Sequence, residues 1–128
     1  MWLVLMWLVL GGGVAGAGDE YELHSDRARE VLSKYNYTGE AKLCLRSQRI
    51  KYVDILDDWT LLIEMAGKDY YVNHLTHRCP GLKLEDRFSY TLRGLTQLCN
   101  TDVITVLHTD FIKGASCGLG KFEKLQEK

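Results

Sequence analysis

Hydrophobic and polar residues alternate through the middle of the chain, and this alternation predicts β-strands. The residues that share one face of a predicted strand at 59–65 are apolar: Trp59, Leu61, Ile63 and Met65. Successive side chains of a strand point to opposite sides, so this face is predicted to lie on a core. A turn at 67–69 and a second strand at 70–75, rich in aromatic and β-branched residues, complete a predicted hairpin.

Helical spacing occurs near the beginning of the chain. Apolar residues at 28, 31, 32 and 35 follow a possible N-terminal cap at Ser25 or Asp26, which predicts a helix over residues 25–35. Asn36 and Gly39 end this periodicity, and 36–38 is predicted to be a turn. At the other end of the hairpin region, Pro80 and Gly81 have the composition of a type II turn.

The remaining strand patterns are short and follow one another without strand–helix–strand spacing. They cover residues 41–46, 50–56, 87–92, 103–107 and 115–122. About six or seven strands with one N-terminal helix predict a mainly β (α+β) fold. We expect an antiparallel sheet curled into a small barrel or sandwich.

The first 18 residues carry no charged side chain. An apolar run at 2–10 is followed by glycines and small residues, which predicts a secretory signal peptide cleaved after Ala17. An uncleaved N-terminal anchor is the alternative. The predicted organisation is a signal peptide at 1–17, a linker and helix at 18–39, a disulfide-linked β-domain at 40–123 and a charged, solvated tail at 124–128.

Four cysteines follow the leader, which in a small exported chain predicts two disulfides. Four cysteines allow three pairings. We expect Cys79 to pair with Cys99 and Cys44 with Cys117, because the second bond would join the first strand to the last and close the sheet. The predicted location is therefore periplasmic or secreted.

The charge of the chain is nearly balanced. The 16 basic and 17 acidic side chains give a net charge of −1. Nucleic-acid binding by counterion release needs a basic face, so this class of function is not expected. No cofactor is expected either.

An ordered set of motifs resembles a family of small exported bacterial proteins that are classed only as a domain of unknown function. The motifs are the Tyr-Tyr-Val-Asn strand at 70–73, Cys-Pro-Gly-Leu at 79–82 and Cys-x-Leu-Gly-x-Phe at 117–122, with the cysteines in the same order. The similarity covers about residues 40–123. The resemblance implies an envelope or periplasmic location and implies no activity or catalytic residue.

Several residues are candidates for a metal or catalytic site, each with a simpler structural explanation. His74 and His77, with Cys79 and Cys99, could bind zinc. The simpler explanation is that both histidines are surface residues at the end of the predicted hairpin. Carboxylates that could act as acid or base, or cap turns, are Asp54, Asp57, Asp58 and Asp102. A cysteine nucleophile beside His108 is a further possibility, and an oxidising compartment argues against it.

An aromatic set could line a binding groove or fill the core: Trp59, Tyr70, Tyr71 and Tyr90. With no catalytic set evident, the main functional hypothesis is a non-enzymatic binding or structural domain of the cell envelope. Its partner would be an unknown protein or small ligand. A secreted inhibitor of an envelope hydrolase is one form of this hypothesis. The alternative is a small hydrolase with catalytic Asp and His residues on loops. It requires at least two residues of one set to converge in one cleft: Asp54, Asp58, His74, His77, Asp102 and His108.

Overall fold

The computed structural model describes residues 23–90 and 96–128. The predicted signal peptide and the cleavage position after Ala17 lie outside these residues, as does Leu92 of the strand predicted at 87–92. The helices are α1 (Asp26–Leu32) and the single turn α2 (Leu82–Glu85). The strands are β1 (Tyr35–Lys42), β2 (Cys44–Arg46), β3 (Ile50–Asp57), β4 (Thr60–Met65), β5 (Tyr70–His74), β6 (Phe88–Tyr90), β7 (Gln97–Cys99), β8 (Val103–Leu107), β9 (Lys113–Gly118) and β10 (Phe122–Glu127).

The strands form three antiparallel sheets. A five-stranded sheet has the order β1-β10-β5-β4-β3, a three-stranded sheet has the order β6-β8-β9, and β2 pairs with β7. The predicted mainly β fold with an N-terminal helix is confirmed. The described part has ten short strands rather than six or seven, and its sheets do not close into a barrel.

The main hydrophobic core joins one face of the five-stranded sheet to the two smaller sheets. Leu61 and Ile63 of β4 lie in it with Phe122 of β10, and β8 contributes Ile104 and Val106. The alternating pattern therefore identified a core face correctly at Leu61, Ile63 and Met65, whereas Trp59 lies outside both β4 and this core.

The opposite face of the five-stranded sheet is also buried, because α1 lies across it. Ala28 and Leu32 of the helix pack with Leu62 of β4, Val72 of β5 and Leu125 of β10. Strand β4 is thus covered on both sides. Helix α1 is shorter than predicted and ends at Leu32.

Strand β1 occupies residues 35–42, so the turn expected at 36–38 is wrong. The chain is extended from Tyr35, and a register shift between Tyr37 and Ala41 accommodates Gly39 at φ +89°. Nearly every residue of β1 is exposed. The strand therefore has no apolar alternation by which the sequence could have indicated it.

The segment predicted as a solvated tail at 124–128 is also different in the structure. Strand β10 runs to Glu127 and lies between β1 and β5, with Leu125 only 3% exposed. The Lys128 N–H donates to the Lys34 carbonyl at 3.1 Å. The chain end is thus an interior strand of the largest sheet.

Two disulfides form, as the cysteine count predicted, but both expected pairings are wrong. Cys44 is bonded to Cys99 and Cys79 to Cys117, with Cα–Cα distances of 4.0 and 5.7 Å. Cys44 and Cys99 are opposite each other in the β2–β7 ladder, which excludes the expected bond from Cys44 to Cys117. Two disulfides indicate an oxidising, extracytoplasmic environment.

Candidate functional site

A cleft of about 540 Å³ lies at the hairpin end of the five-stranded sheet, and we call it the Trp59 cleft. Three segments form it: His24 two residues before α1, the β3–β4 turn, and the chain from Arg78 into α2. Its lining residues are His24, Asp57, Asp58, Trp59, Arg78, Gly81, Lys83 and Leu84.

Asp57 fixes the β3–β4 turn to the helix. Its Oδ1 accepts the Trp59 N–H at 2.7 Å, and its Oδ2 accepts the Ser25 hydroxyl at 2.6 Å. The same Ser25 oxygen accepts the Ala28 N–H at 3.0 Å and so caps α1. Asp57 is 8% exposed. It is therefore a turn and capping residue, which is the structural explanation considered for it from the sequence.

Asp58 fixes the third segment of the cleft. Its Oδ1 accepts the Lys83 N–H at 2.8 Å, and its Oδ2 lies 3.0 Å from the Arg78 guanidinium. The Asp58 carbonyl accepts the Cys79 N–H at 2.8 Å. Gly81 has φ +82°, as the type II turn requires. Asp58 thus lies in the β3–β4 turn and also binds the segment at Lys83, which is 25 residues further along the chain.

The surface of the cleft is partly apolar. The Trp59 and His24 rings stack with centroids 4.0 Å apart and planes 15° apart. Leu84 on α2 is 84% exposed. The Lys83 ammonium donates to the Ile55 carbonyl at 3.2 Å, and the Arg78 guanidinium pairs with Asp58. The cations of the cleft, like its carboxylates, therefore already have protein partners.

A polar pair of an exposed tyrosine and a partly buried histidine lies at the neighbouring end of β5. The Tyr37 hydroxyl is 2.7 Å from His74 Nε2. Burial lowers the pKa of His74 from 6.5 to about 4; Asp57 opposes this shift and His24 reinforces it. Burial, reinforced by Glu123, raises the pKa of Tyr37 to about 12. Both groups are neutral near pH 7.

The other candidate catalytic residues lie apart, each with a local partner. Asp54 is 3.3 Å from the Arg27 guanidinium, and Asp102 accepts the Cys99 N–H at 2.7 Å as a turn residue. His77 contacts Thr76 at 3.3 Å, while His108 Nδ1 lies 2.9 Å from Glu85. The structure therefore does not bring the predicted Asp and His set into one cleft.

The cysteine-based sites are excluded by the disulfides. All four cysteines are bonded, so the proposed nucleophile beside His108 has no thiol, and Cys79 and Cys99 cannot join His74 and His77 as zinc ligands. Within residues 23–90 and 96–128, no three His, Cys, Asp or Glu side chains converge as metal ligands would.

The four predicted aromatic residues do not form one groove. Trp59 lines the cleft, whereas Tyr70 packs on Tyr35 at 5.2 Å on the helix side of the sheet. Tyr71 is 3% exposed in the main core, and Tyr90 lies on the three-stranded sheet beside Phe88.

Sequence reasoning missed four cleft residues: His24, Arg78, Lys83 and Leu84. Their only sequence signal is proximity to the Cys-Pro-Gly corner or to the helix cap.

None of the helices in the described part has both the length and the apolar character needed to cross a bilayer. Comparisons with family models, with curated proteins and with solved structures find no match for this chain.

Proposed function

We propose that this protein is an exported, non-enzymatic binding domain of the cell envelope and that a protein partner binds at the Trp59 cleft. The observation that carries the proposal is the exposed Leu84 side chain, in the same cleft as the Trp59–His24 stack. Tryptophan and arginine are enriched at binding hot spots, and exposed apolar groups with a polar rim mark interaction surfaces.

The cleft fits a protein better than a small ligand. Sites for small ligands enclose most of their ligand, whereas Leu84 is 84% exposed at the rim of this open cleft. The hydrogen bonds of Asp57 and Asp58 hold all three segments in place before any partner arrives. A surface that is already ordered loses less conformational entropy on binding.

An envelope hydrolase is one class of partner that this geometry suits, in which case the domain acts as its inhibitor. The segment that carries Leu84 is held by the Cys79–Cys117 disulfide and by both carboxylate oxygens of Asp58. A rigid projecting segment of this kind can enter an active-site cleft. The alternative of a hydrolase that uses its own loop Asp and His residues gains no support, because those residues lie apart.

The export step of the proposal is supported by the apolar leader at 1–17 and by the two disulfides. Cell fractionation of the full chain tests it. We expect the protein in the periplasmic or medium fraction with both disulfides formed. Reduced protein in the cytoplasm would contradict export.

Affinity capture on the immobilised, oxidised domain tests the binding surface. Wild type, Trp59→Ala and Leu84→Ala are compared with Leu43→Ala, which removes another exposed leucine (57%) outside the cleft. We expect one envelope protein to be retained by wild type and Leu43→Ala and at least about tenfold less by the two cleft variants. Equal retention by all four proteins would contradict the proposal. If the captured protein is a hydrolase, added domain should inhibit it.

A further inference from the structure

A second cleft, of about 300 Å³, carries a concentration of positive charge. Lys42, Arg46 and Arg49 line it together with a single carboxylate, Asp69. The excess of charge at the cleft is therefore two positive units (three cations less one anion), whereas the whole chain has a net charge of −1. We call this site the cationic cleft. It shares no lining residue with the Trp59 cleft.

The three cations have no acidic partner in the part of the chain that the structure describes. Other basic side chains there form ion pairs, for example Arg27 with Asp54, Lys51 with Glu64, and Lys124 with Glu40. No carboxylate of the described residues lies within 4.0 Å of the side-chain nitrogens of Lys42, Arg46 or Arg49. Like charges gathered in this way repel one another, and a bound anion would relieve that repulsion.

Two of the three cations, Lys42 and Arg49, are held in place by neighbouring protein groups. The Lys42 ammonium lies 5.7 Å from the centroid of the Tyr71 ring, which is within the range of a cation–π interaction. The Arg49 guanidinium donates to the Ala66 carbonyl at 3.2 Å, and the Ala66 N–H donates to the Arg49 carbonyl at 2.7 Å. Arg46 extends from β2, which is paired to β7 and linked to it by the Cys44–Cys99 disulfide.

We propose that the cationic cleft binds a phosphate group. Two guanidinium groups can each donate two hydrogen bonds to a tetrahedral oxyanion, and a lysine ammonium adds a point charge. The cleft is large enough for a phosphate with a small organic substituent and offers the excess positive charge that such a dianion requires. The phosphate could belong to a soluble phosphate ester or to the headgroup of an anionic phospholipid.

Titration of the oxidised protein with inorganic phosphate, followed by NMR of the backbone amides at fixed ionic strength, tests the site. We expect shifts concentrated at residues 42–49 and a dissociation constant at least about tenfold higher for Arg46→Gln. Arg46 makes no side-chain hydrogen bond among the described residues, so this variant is expected to fold. Arg87→Gln is the matched control, because it removes one exposed arginine away from the cleft and should bind like wild type.

Co-sedimentation with vesicles distinguishes the two sources of phosphate. Binding to phosphatidylglycerol vesicles but not to phosphatidylcholine vesicles, again lost in Arg46→Gln, would assign the site to a lipid headgroup. Binding of inorganic phosphate without vesicle binding would assign it to a soluble ester. Absence of binding in both experiments, or equal weakening in Arg46→Gln and Arg87→Gln, would overturn the proposal. Failure of the Trp59 cleft to bind a protein partner would leave this result unaffected.

Discussion

The side-chain amide of Asn73 pairs with both backbone polar groups of Gly120. The Gly120 N–H donates to Asn73 Oδ1 at 2.8 Å, and Asn73 Nδ2 donates to the Gly120 carbonyl at 2.7 Å. Asn73 is completely buried on β5, at the point where the chain between β9 and β10 crosses the sheet. The pair therefore supplies the hydrogen bonds that a loop over a hydrophobic core would otherwise lack.

Position 120 requires glycine, because the chain there passes too close to β5 for any side chain. A Cβ atom at this position would lie 2.3 Å from the His74 carbonyl oxygen. The neighbouring residues of the Cys-x-Leu-Gly-x-Phe motif are buried: Cys117, Leu119 and Phe122. The whole motif thus has a structural explanation, and none of its residues lines the Trp59 cleft.

Replacement of Asn73 by alanine should destabilise the fold strongly. It leaves the Gly120 N–H and carbonyl without partners in a largely buried place, which costs about 2–4 kcal/mol of unfolding free energy. Urea unfolding followed by circular dichroism measures the loss. Asn36→Ala, on the exposed strand β1, is the control and should change stability by less than about 0.5 kcal/mol. An Asn73→Ala protein as stable as this control would refute the role of the pair.

Peptide mapping of the oxidised protein should give the disulfide pairing of the structure. Trypsin separates the four cysteines into peptides 43–46, 79–83, 94–113 and 114–121. We expect peptide 43–46 to be linked to 94–113 and 79–83 to 114–121, because Cys44 bonds to Cys99 and Cys79 to Cys117. Detection of 43–46 linked to 114–121 would instead restore the pairing expected from the sequence.

Loss of either disulfide should lower stability by a similar amount. The bonds span 55 and 38 residues, and the chain-entropy model gives about 4 kcal/mol for each. Replacing both cysteines of one bond by alanine avoids an unpaired thiol. Urea unfolding of the two double variants measures the effect, and a change near zero for either bond would contradict the expectation.

Acid should weaken the fold through His74. The pKa of His74 is about 4 in the folded protein, whereas the ordinary value for histidine is 6.5. Between these two pH values the unfolded chain therefore binds more protons than the folded protein. The unfolding free energy should therefore fall as the pH decreases from about 6.5 to about 4, by up to about 3 kcal/mol.

The two histidines of the hairpin end allow this effect to be isolated. His74→Gln removes the partly buried imidazole and should flatten the pH dependence of unfolding, while His77→Gln removes an exposed one and should leave the dependence unchanged. Urea unfolding of both variants at several pH values from 4 to 7 gives the comparison. Identical pH profiles for the two variants would show that His74 does not cause the acid sensitivity.

Truncation of the chain end should abolish folding. Deletion of residues 123–128 removes most of the strand that pairs with both β1 and β5, including the buried Leu125. We expect loss of the β-sheet circular dichroism spectrum and of cooperative unfolding. Deletion of Lys128 alone is the control: Lys128 lies beyond β10, so its loss removes one backbone hydrogen bond, to Lys34, and should be tolerated. A stable, folded protein after the longer deletion would show that these residues are a tail after all.

Local patterns of the sequence were sufficient for several features. The alternation at 59–65 and 70–75 predicted the β4–β5 hairpin and its core face, and helical spacing with a serine cap predicted α1. The cysteine count predicted two disulfides and an oxidising compartment. Each of these depends on neighbours in the chain or on composition, which a sequence displays directly.

The tertiary structure decided the features that depend on contacts between distant segments. Strand β10 has the sequence Phe-Glu-Lys-Leu-Gln-Glu, and β1 is almost wholly exposed, so neither has the apolar alternation of a buried strand. Both belong to the five-stranded sheet because they pair with strands that are distant in the sequence. The partner of Cys44 is fixed by the β2–β7 ladder, and the Trp59 cleft exists because Asp58 binds the backbone of Lys83. The sequence alone determined which residues could form strands and disulfides, whereas three-dimensional packing determined which of them meet.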